Sequence, residues 1–327
     1  MPAPAASDMI DWPEAFGTRF TVTVDTEEEF DWRAPLDSAN RSVATTFALP
    51  AAHRRFADRA VPLTFLVDHP IATDAATLEI LRRLMEDGRS AVGAQLHPWV
   101  NPPLDEAMVP ANTFVGNLPS ALEAAKLDVL TEAITKGIGV APRIYRAGRY
   151  GIGPATLALL GERGYRIDSS MRSAYDYSAE AGPDFTAILN HAFRCGPDRQ
   201  ILELPLTTVF TGAARSGGVG LYRALQRIPK GRGVFARTGL LSRVALTPED
   251  MPLADALQAI AVAVGEGLRL LNFAFHSPSL VPGHTPYVRD AADLAAFHHW
   301  WDVVLTDLDR RGVRPASLDD LIAASVG

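Results

Sequence analysis

The chain of 327 residues is long enough for one large α/β barrel or two ordinary domains, and 47% hydrophobic against 21% charged residues suits a globular protein with a sizeable core. A net charge of −7 carries no nucleic-acid signature, and the single cysteine, Cys195, excludes an intrachain disulfide and a cysteine-rich zinc site. No apolar run of about 18 residues or more occurs, so no membrane span is expected, and without a basic and apolar leader pattern at the N-terminus a cytoplasmic protein is the expectation.

Strict alternation over Arg19-Phe-Thr-Val-Thr-Val-Asp25 predicts the first strand. Apolar runs predict further strands at 61–67, 90–96, 143–147, 165–168, 201–206 and 270–275, with a short eighth at 313–316. Helix-start signals fall between them. Ser120-Ala-Leu-Glu123 reads as a capping box opening a helix of about five turns. Gly153-Pro154 opens a shorter helix, and Ser317-Leu-Asp-Asp320 a terminal one. Thr247-Pro248-Glu249-Asp250 combines an N-cap, a first-turn proline and first-turn acids. Such alternation implies a parallel sheet, which seven or eight units would close into a (β/α) barrel. An open doubly wound sheet is the competing architecture. One domain over 1–327 is expected, with an insertion at about 207–247.

Unusual polar residues sit where the predicted strands end: Asp25, Asp68-His69, His97, Arg146 with Arg149, Asp168 and His276. In a parallel barrel these carboxyl ends converge on one face, where loops build an active site. Asp25-Thr-Glu27-Glu28-Glu29-Phe-Asp31-Trp32 packs five carboxylates into seven residues. They repel one another unless a cation or basic groups lie near; read alone, the run is also that of a solvated acidic loop. His97-Pro98-Trp99-Val-Asn101-Pro102-Pro103 leaves a strand into a proline-stiffened turn that would hold the histidine firmly, its tryptophan serving as a sugar platform or a buried cover. In Tyr145-Arg146-Ala-Gly148-Arg149-Tyr150 an arginine beside a carboxylate would lower its pKa and orient it, which suits Asp25 as a general base. His276 ends a hydrophobic strand and is the natural acid for protonating a leaving amine.

In that order the motifs resemble the polysaccharide-deacetylase (NodB-homology) family, and within it the WalW-like branch, from about Phe20 to the last helix. The resemblance rests on Val24-Asp25-Thr-Glu27, His97-Pro-Trp-Val-Asn101, Tyr145-Arg146-Ala-Gly148, Tyr165-Arg-Ile-Asp168-Ser-Ser170 and Phe275-His276. It implies an irregular (β/α) barrel and a zinc or similar divalent ion that polarises an N-acetyl carbonyl and activates water. It assigns Asp25 as base, Arg146 as its orienter and His276 as acid, with Glu27, His97 and Asn101 as metal ligands. Trp99, Arg149, Tyr150 and Asp168 are the expected substrate contacts. The chain departs from the family pattern at Asn101, where a second histidine is usual, and His69, Glu29 or His284 are alternative third ligands.

Between Leu206 and Pro248 no acidic residue occurs, while Arg215, Arg223, Arg227, Lys230, Arg232, Arg237 and Arg243 do. The stretch reads as a mobile solvated loop or as a lid for an anionic or lipid-linked substrate. The leading functional expectation is de-N-acetylation of a sugar or polysaccharide precursor, hence a carbohydrate substrate. The alternatives are hydrolysis of another non-peptide C–N bond and a degenerate barrel that binds glycan without turnover. Oligomeric state is not legible.

Overall fold

The computed structural model describes residues 1–326. Eleven strands run along the described residues: β1 Arg19–Thr26, β2 Leu63–Val67, β3 Ala91–Leu96, β4 Ile144–Ala147, β5 Ile167–Asp168, β6 Phe193–Cys195, β7 Ile201–Glu203, β8 Thr208–Thr211, β9 Ser242–Ala245, β10 Leu270–His276 and β11 Arg314–Pro315. All but β8 and β9 form one sheet, ordered β10-β1-β2-β3-β4-β5-β7-β6, with β11 beside the start of β1. Pairing is parallel from β10 through β7 and antiparallel only at β6. The expected irregular barrel is the architecture found.

The gap between β7 and β10 is bridged by single residues rather than a strand. Thr207 N donates to Asn272 O, Leu246 N to Thr207 O, and Ala274 N to Leu246 O. Asn272 adds side-chain bonds to Leu204 O and to the Ser169 hydroxyl. These two bridging residues are the roots of the insertion, which rises as the β8–β9 hairpin carrying helices Gly218–Gln226 and Gly231–Arg237.

Alternation explains which side of each strand does what. On β1, Phe20, Val22 and Val24 join the apolar layer beneath the helices, so Thr21, Thr23 and Asp25 face inward. On β10, Leu271, Phe273 and Phe275 pack outward, leaving Asn272 and His276 inward. The lower interior is filled by Leu66, Ile144, Ile167, Leu202 and Leu270, plugged by Trp12, Phe16 and Leu318. The charged side chains of the interior therefore gather at the upper end of the barrel.

Two helix starts differ from expectation. Helix Ser120–Ile138 begins at Pro119 without a side-chain cap, and Glu123 accepts from the Thr156 hydroxyl instead of closing a box. The helix expected at Thr247 begins at Leu253; Thr247 and Glu249 form a tight turn, with Glu249 N donating to Thr247 Oγ1 at 3.1 Å. The Ser317–Asp320 capping box forms as read. Among the described residues no helix is long and apolar enough to cross a membrane.

Candidate active site

A cavity of about 500 Å³ opens over the upper end of the barrel, lined at its floor by Asp25, Glu27, Gln95, His97, Arg146 and His276. Asp25 is buried at the end of β1, where Arg146, from the end of β4, pairs with its Oδ1. Arg146 is held from three sides: it also donates to Thr23 Oγ1 (2.9 Å), Ser169 O (2.9 Å) and Ser169 Oγ (3.1 Å). A guanidinium so fixed orients the carboxylate. The other oxygen, Oδ2, lies 3.7 Å from His276 Nε2.

Behind His276 stands Glu249, a residue the sequence reading took for a helix-start acid. Its Oε2 pairs with His276 Nδ1 at 2.7 Å, and its Oε1 accepts from the His276 backbone N–H at 3.0 Å and from the Ser279 hydroxyl. The Nδ1 proton is thereby placed towards Glu249, and Nε2 faces the cavity. Burial pulls the His276 pKa down, but the carboxylates of Glu249, Glu27 and Asp25 more than offset it, lifting it to about 10. Glu249 is held below its ordinary value because His276 outweighs its own burial.

The opposite side of the floor has a second histidine–carboxylate pair. His97 Nδ1 lies 2.8 Å from Glu28 Oε2, which leaves Nε2 facing Glu27 Oε2 at 3.6 Å. Trp99 stacks on the His97 ring at 4.3 Å and donates from Nε1 to Glu28 Oε1 at 2.6 Å. Gly148 is required here: a Cβ would fall 2.4 Å from His97 Cδ2 and 2.8 Å from Leu96 O. The loop after His97 is clamped by buried Lys126, whose ammonium donates to the carbonyls of Pro98, Asn101 and Pro103 and pairs with Glu106.

Unpartnered donor atoms converge on this side. Glu27 Oε1 and Gln95 Oε1 are buried without a hydrogen-bond partner, and both residues face the cavity with His97. Burial lifts the Glu27 carboxyl to about 8 against the pull of His276 and His97. Buried oxygens left bare beside an imidazole nitrogen fit a cation, which would satisfy them together. Glu28, Asp68 and His97 also present atoms within 4.8 Å of one another, close enough to hold a metal. There, however, every carboxylate oxygen already accepts a hydrogen bond, from Trp99, His97, Glu28 N or Ile71 N. That group is built to position His97.

The fold brings most of the expected residues together. Arg149 and Tyr150 line the cavity, both at positive φ (54° and 60°), an uncommon conformation for side chains of that bulk. Arg149 lies over Phe114 and pairs with Glu180. Trp99 lines the cavity too, but at 2% exposure it is a buried cover for His97; Trp32, edge-on to His276 at 5.1 Å, is the more open aromatic wall. Asp168 and Asn101 are not brought to the cavity. Asp168 is fully buried, bonded to Ser170 and placed beside Glu203. Asn101 donates to Pro102 O and Lys126 O. Of the alternative ligands, His69 begins a short helix away from the cavity, and Glu29 and His284 meet at 3.6 Å in a separate cleft. None of the insertion's seven cations lines the cavity; Arg215 pairs with Glu266, and Arg243 lies over Tyr175.

No family model matches the sequence, and no curated protein is similar to it. Solved structures are similar over nearly the whole chain. A protein assigned as a polysaccharide deacetylase from Mycobacterium smegmatis is 18% identical, with 100% of this chain and 95% of that one covered at a TM-score of 0.55. The chain has the fold of the polysaccharide deacetylases. Another protein so assigned, from Pseudomonas aeruginosa, is 15% identical over 95% of this chain and 92% of that one (TM-score 0.52). The PuuE allantoinase is 14% identical over 94% and 88% (TM-score 0.51), so the barrel also serves a different substrate.

Proposed function

We propose that the protein is a metal-dependent hydrolase that removes N-acetyl groups from a sugar or polysaccharide precursor, as a WalW-like member of the polysaccharide-deacetylase family. The observation that carries this reading is the opposition of two sets across one cavity floor: Asp25–Arg146 with His276–Glu249 on one side, Glu27, Gln95 and His97 on the other.

Glu27, His97 Nε2 and Gln95 Oε1 would hold a divalent ion, zinc being the natural match for an imidazole–oxygen set. Bound there, the metal supplies the Lewis acidity that polarises the acetyl carbonyl and lowers the pKa of water. Asp25 Oδ2, the oxygen Arg146 leaves free, takes a proton from water as it adds to the carbonyl. His276 is cationic at neutral pH and carries its proton on the cavity-facing Nε2. It gives that proton to the departing amine while Glu249 holds the ring. Arg149, Tyr150 and Trp32 would shape the sugar's surroundings. Asp168 and Asn101 act as structural supports of the floor rather than as contacts.

The test joins chemistry to metal content. The purified protein is assayed for acetate release from N-acetylglucosamine oligosaccharides and N-acetylated sugar phosphates, with elemental analysis of the same sample. Acetate release that tracks about one zinc, cobalt or nickel per chain supports the reading. Metal binding with hydrolysis only of a non-sugar C–N bond, the opening of a cyclic amide included, would move the assignment to the hydrolysis that the allantoinase likeness suggests. No metal and no turnover after adding back zinc would leave a glycan-binding barrel.

A further inference from the structure

Four arginines and histidines at the cavity floor and wall have carboxylate partners: Arg146 with Asp25, Arg149 with Glu180, His97 with Glu28 and His276 with Glu249. Arg172, on the same cavity, has none. Among the described residues no carboxylate oxygen lies within 4.0 Å of its guanidinium. Its Nε is buried without a hydrogen-bond partner, and its one side-chain bond is a long contact from Nη1 to the Tyr177 hydroxyl at 3.4 Å. A guanidinium has five N–H donors, so most of its capacity is unused.

Its position is fixed nonetheless. Residue 172 pairs by backbone with Leu206, and Met171 on one side is tied to Glu203 and Leu206. The guanidinium lies 3.8 Å from the centre of the Tyr175 ring and 5.5 Å from that of Tyr150. Ring faces favour the cation but accept none of its hydrogen bonds. Arg172 also borders a smaller recess of about 60 Å³ with Tyr150, Glu249, His276 and Tyr287, which places it beside the acid–base set. A cation held by aromatic faces, with its donors empty and a cavity before it, is the arrangement that receives an oxyanion.

We propose that the substrate carries an anionic oxygen group, a carboxylate or a phosphate ester, seated on the Arg172 guanidinium while its N-acetyl group lies over Asp25 and His276. The inference deepens the deacetylase reading and rests on it. It also relocates the recognition of charge: the basic insertion contributes by backing the tyrosines, with Arg243 stacked 3.5 Å over the outer face of Tyr175, and Arg172 makes the contact.

The test uses direct binding by calorimetry with three probes on the full-length protein: N-acetylglucosamine as the neutral probe, N-acetylglucosaminuronic acid as the carboxylate probe and N-acetylglucosamine 6-phosphate as the phosphate probe. At least one anionic probe is expected to bind more tightly than the neutral one, and Arg172→Gln to lower the anionic-to-neutral affinity ratio about tenfold or more, as loss of charge-assisted bonds does. Arg172→Lys, which keeps the charge but not the fork, should restore part of that ratio, and thermal melting of each variant checks folding. The arm that discriminates names the source of the anion. Equal affinities for all three probes in the wild type, or an unchanged ratio in Arg172→Gln, would overturn the proposal. Because binding is read without turnover, discrimination without acetate release would sink the deacetylase reading alone, and acetate release without discrimination would sink this one alone.

Discussion

Two histidines on opposite sides of the cavity floor are built alike and read differently. Each has Nδ1 on a buried glutamate, Glu28 for His97 at 2.8 Å and Glu249 for His276 at 2.7 Å. Each has Nε2 about the same distance from an acid of the first strand's end: Glu27 at 3.6 Å, Asp25 at 3.7 Å. What separates them is the acid's own partner. Asp25 is pinned by Arg146, and Glu249, Glu27 and Asp25 together make His276 a protonated acid. Among the described residues Glu27 has no arginine or lysine partner and keeps an unpartnered oxygen, so the His97 side is the one left wanting a positive charge. A histidine–carboxylate pair alone therefore does not define a role; the neighbour of the facing acid does.

The largest effects should follow from breaking the acid–base side. Asp25→Asn and His276→Gln are each expected to lower acetate release by about a hundred- to ten-thousand-fold, the usual worth of a positioned acid or base. Metal content should stay at the wild-type level in both. Metal loss from either variant, measured by elemental analysis, would erase the distinction between the two sides. His97→Ala should do the reverse and abolish metal binding. Glu28→Gln sharpens the contrast, because a supporting carboxylate typically contributes about 10- to 100-fold in metal affinity. Titration against a buffered zinc series reads that factor. Unchanged affinity would mean that Glu28 does not act through His97.

A subtler handle is the pH profile. His276 stands at about 10 against an ordinary 6.5, so it is protonated through neutral pH and loses its proton only on the alkaline side. Because the folded value is the higher one, its charge stabilises the fold fully below about 6.5, and this contribution is lost as pH rises through about 10. Glu249→Gln removes the strongest upward influence. The alkaline limb of activity is then expected to move down by about one to three units, with a matching loss of the pH-dependence of stability over that window. A limb that stays put would assign it to another group.

Much of this floor was legible in sequence because strand-end residues inherit their geometry from the barrel. Alternation over β1 and β10 put Asp25 and His276 inward, and parallel topology brought Arg146 and His97 to the same rim. What was hidden depends on long-range packing. Glu249 sits in Thr247-Pro248-Glu249, a pattern that satisfies a helix start equally well; only the bridging of Leu246 to Ala274 turns it towards His276. Lys126, one charge within helix Ser120–Ile138, gives no such signal, and it is the buried clamp of the His97 loop. Arg172 follows no regular strand end. Gln95 lies on β3 two residues before His97, yet a neutral side chain gives no signal until its oxygen is seen without a partner.

The smallest expected effect decides the third donor on the metal side. Family likeness points to Asn101, whose amide nitrogen donates to Pro102 O and Lys126 O; its Oδ1 is buried without a partner, as Gln95 Oε1 is, but Asn101 does not line the cavity. Asn101→Ala should therefore cost stability, about 1 kcal/mol for a buried neutral bond of this kind, and leave zinc stoichiometry and affinity as they were. Gln95→Ala should cost affinity instead, because Gln95 lines the cavity with its oxygen unpartnered and Asn101 does not. Both residues are buried within the same stretch of chain, so a general loosening of the loop would weaken both readouts together. Opposite outcomes, with melting shifted in one variant and zinc titration in the other, are what the geometry requires. Zinc lost from Asn101→Ala at an unchanged melting temperature would return the ligand to the place the family pattern gives it.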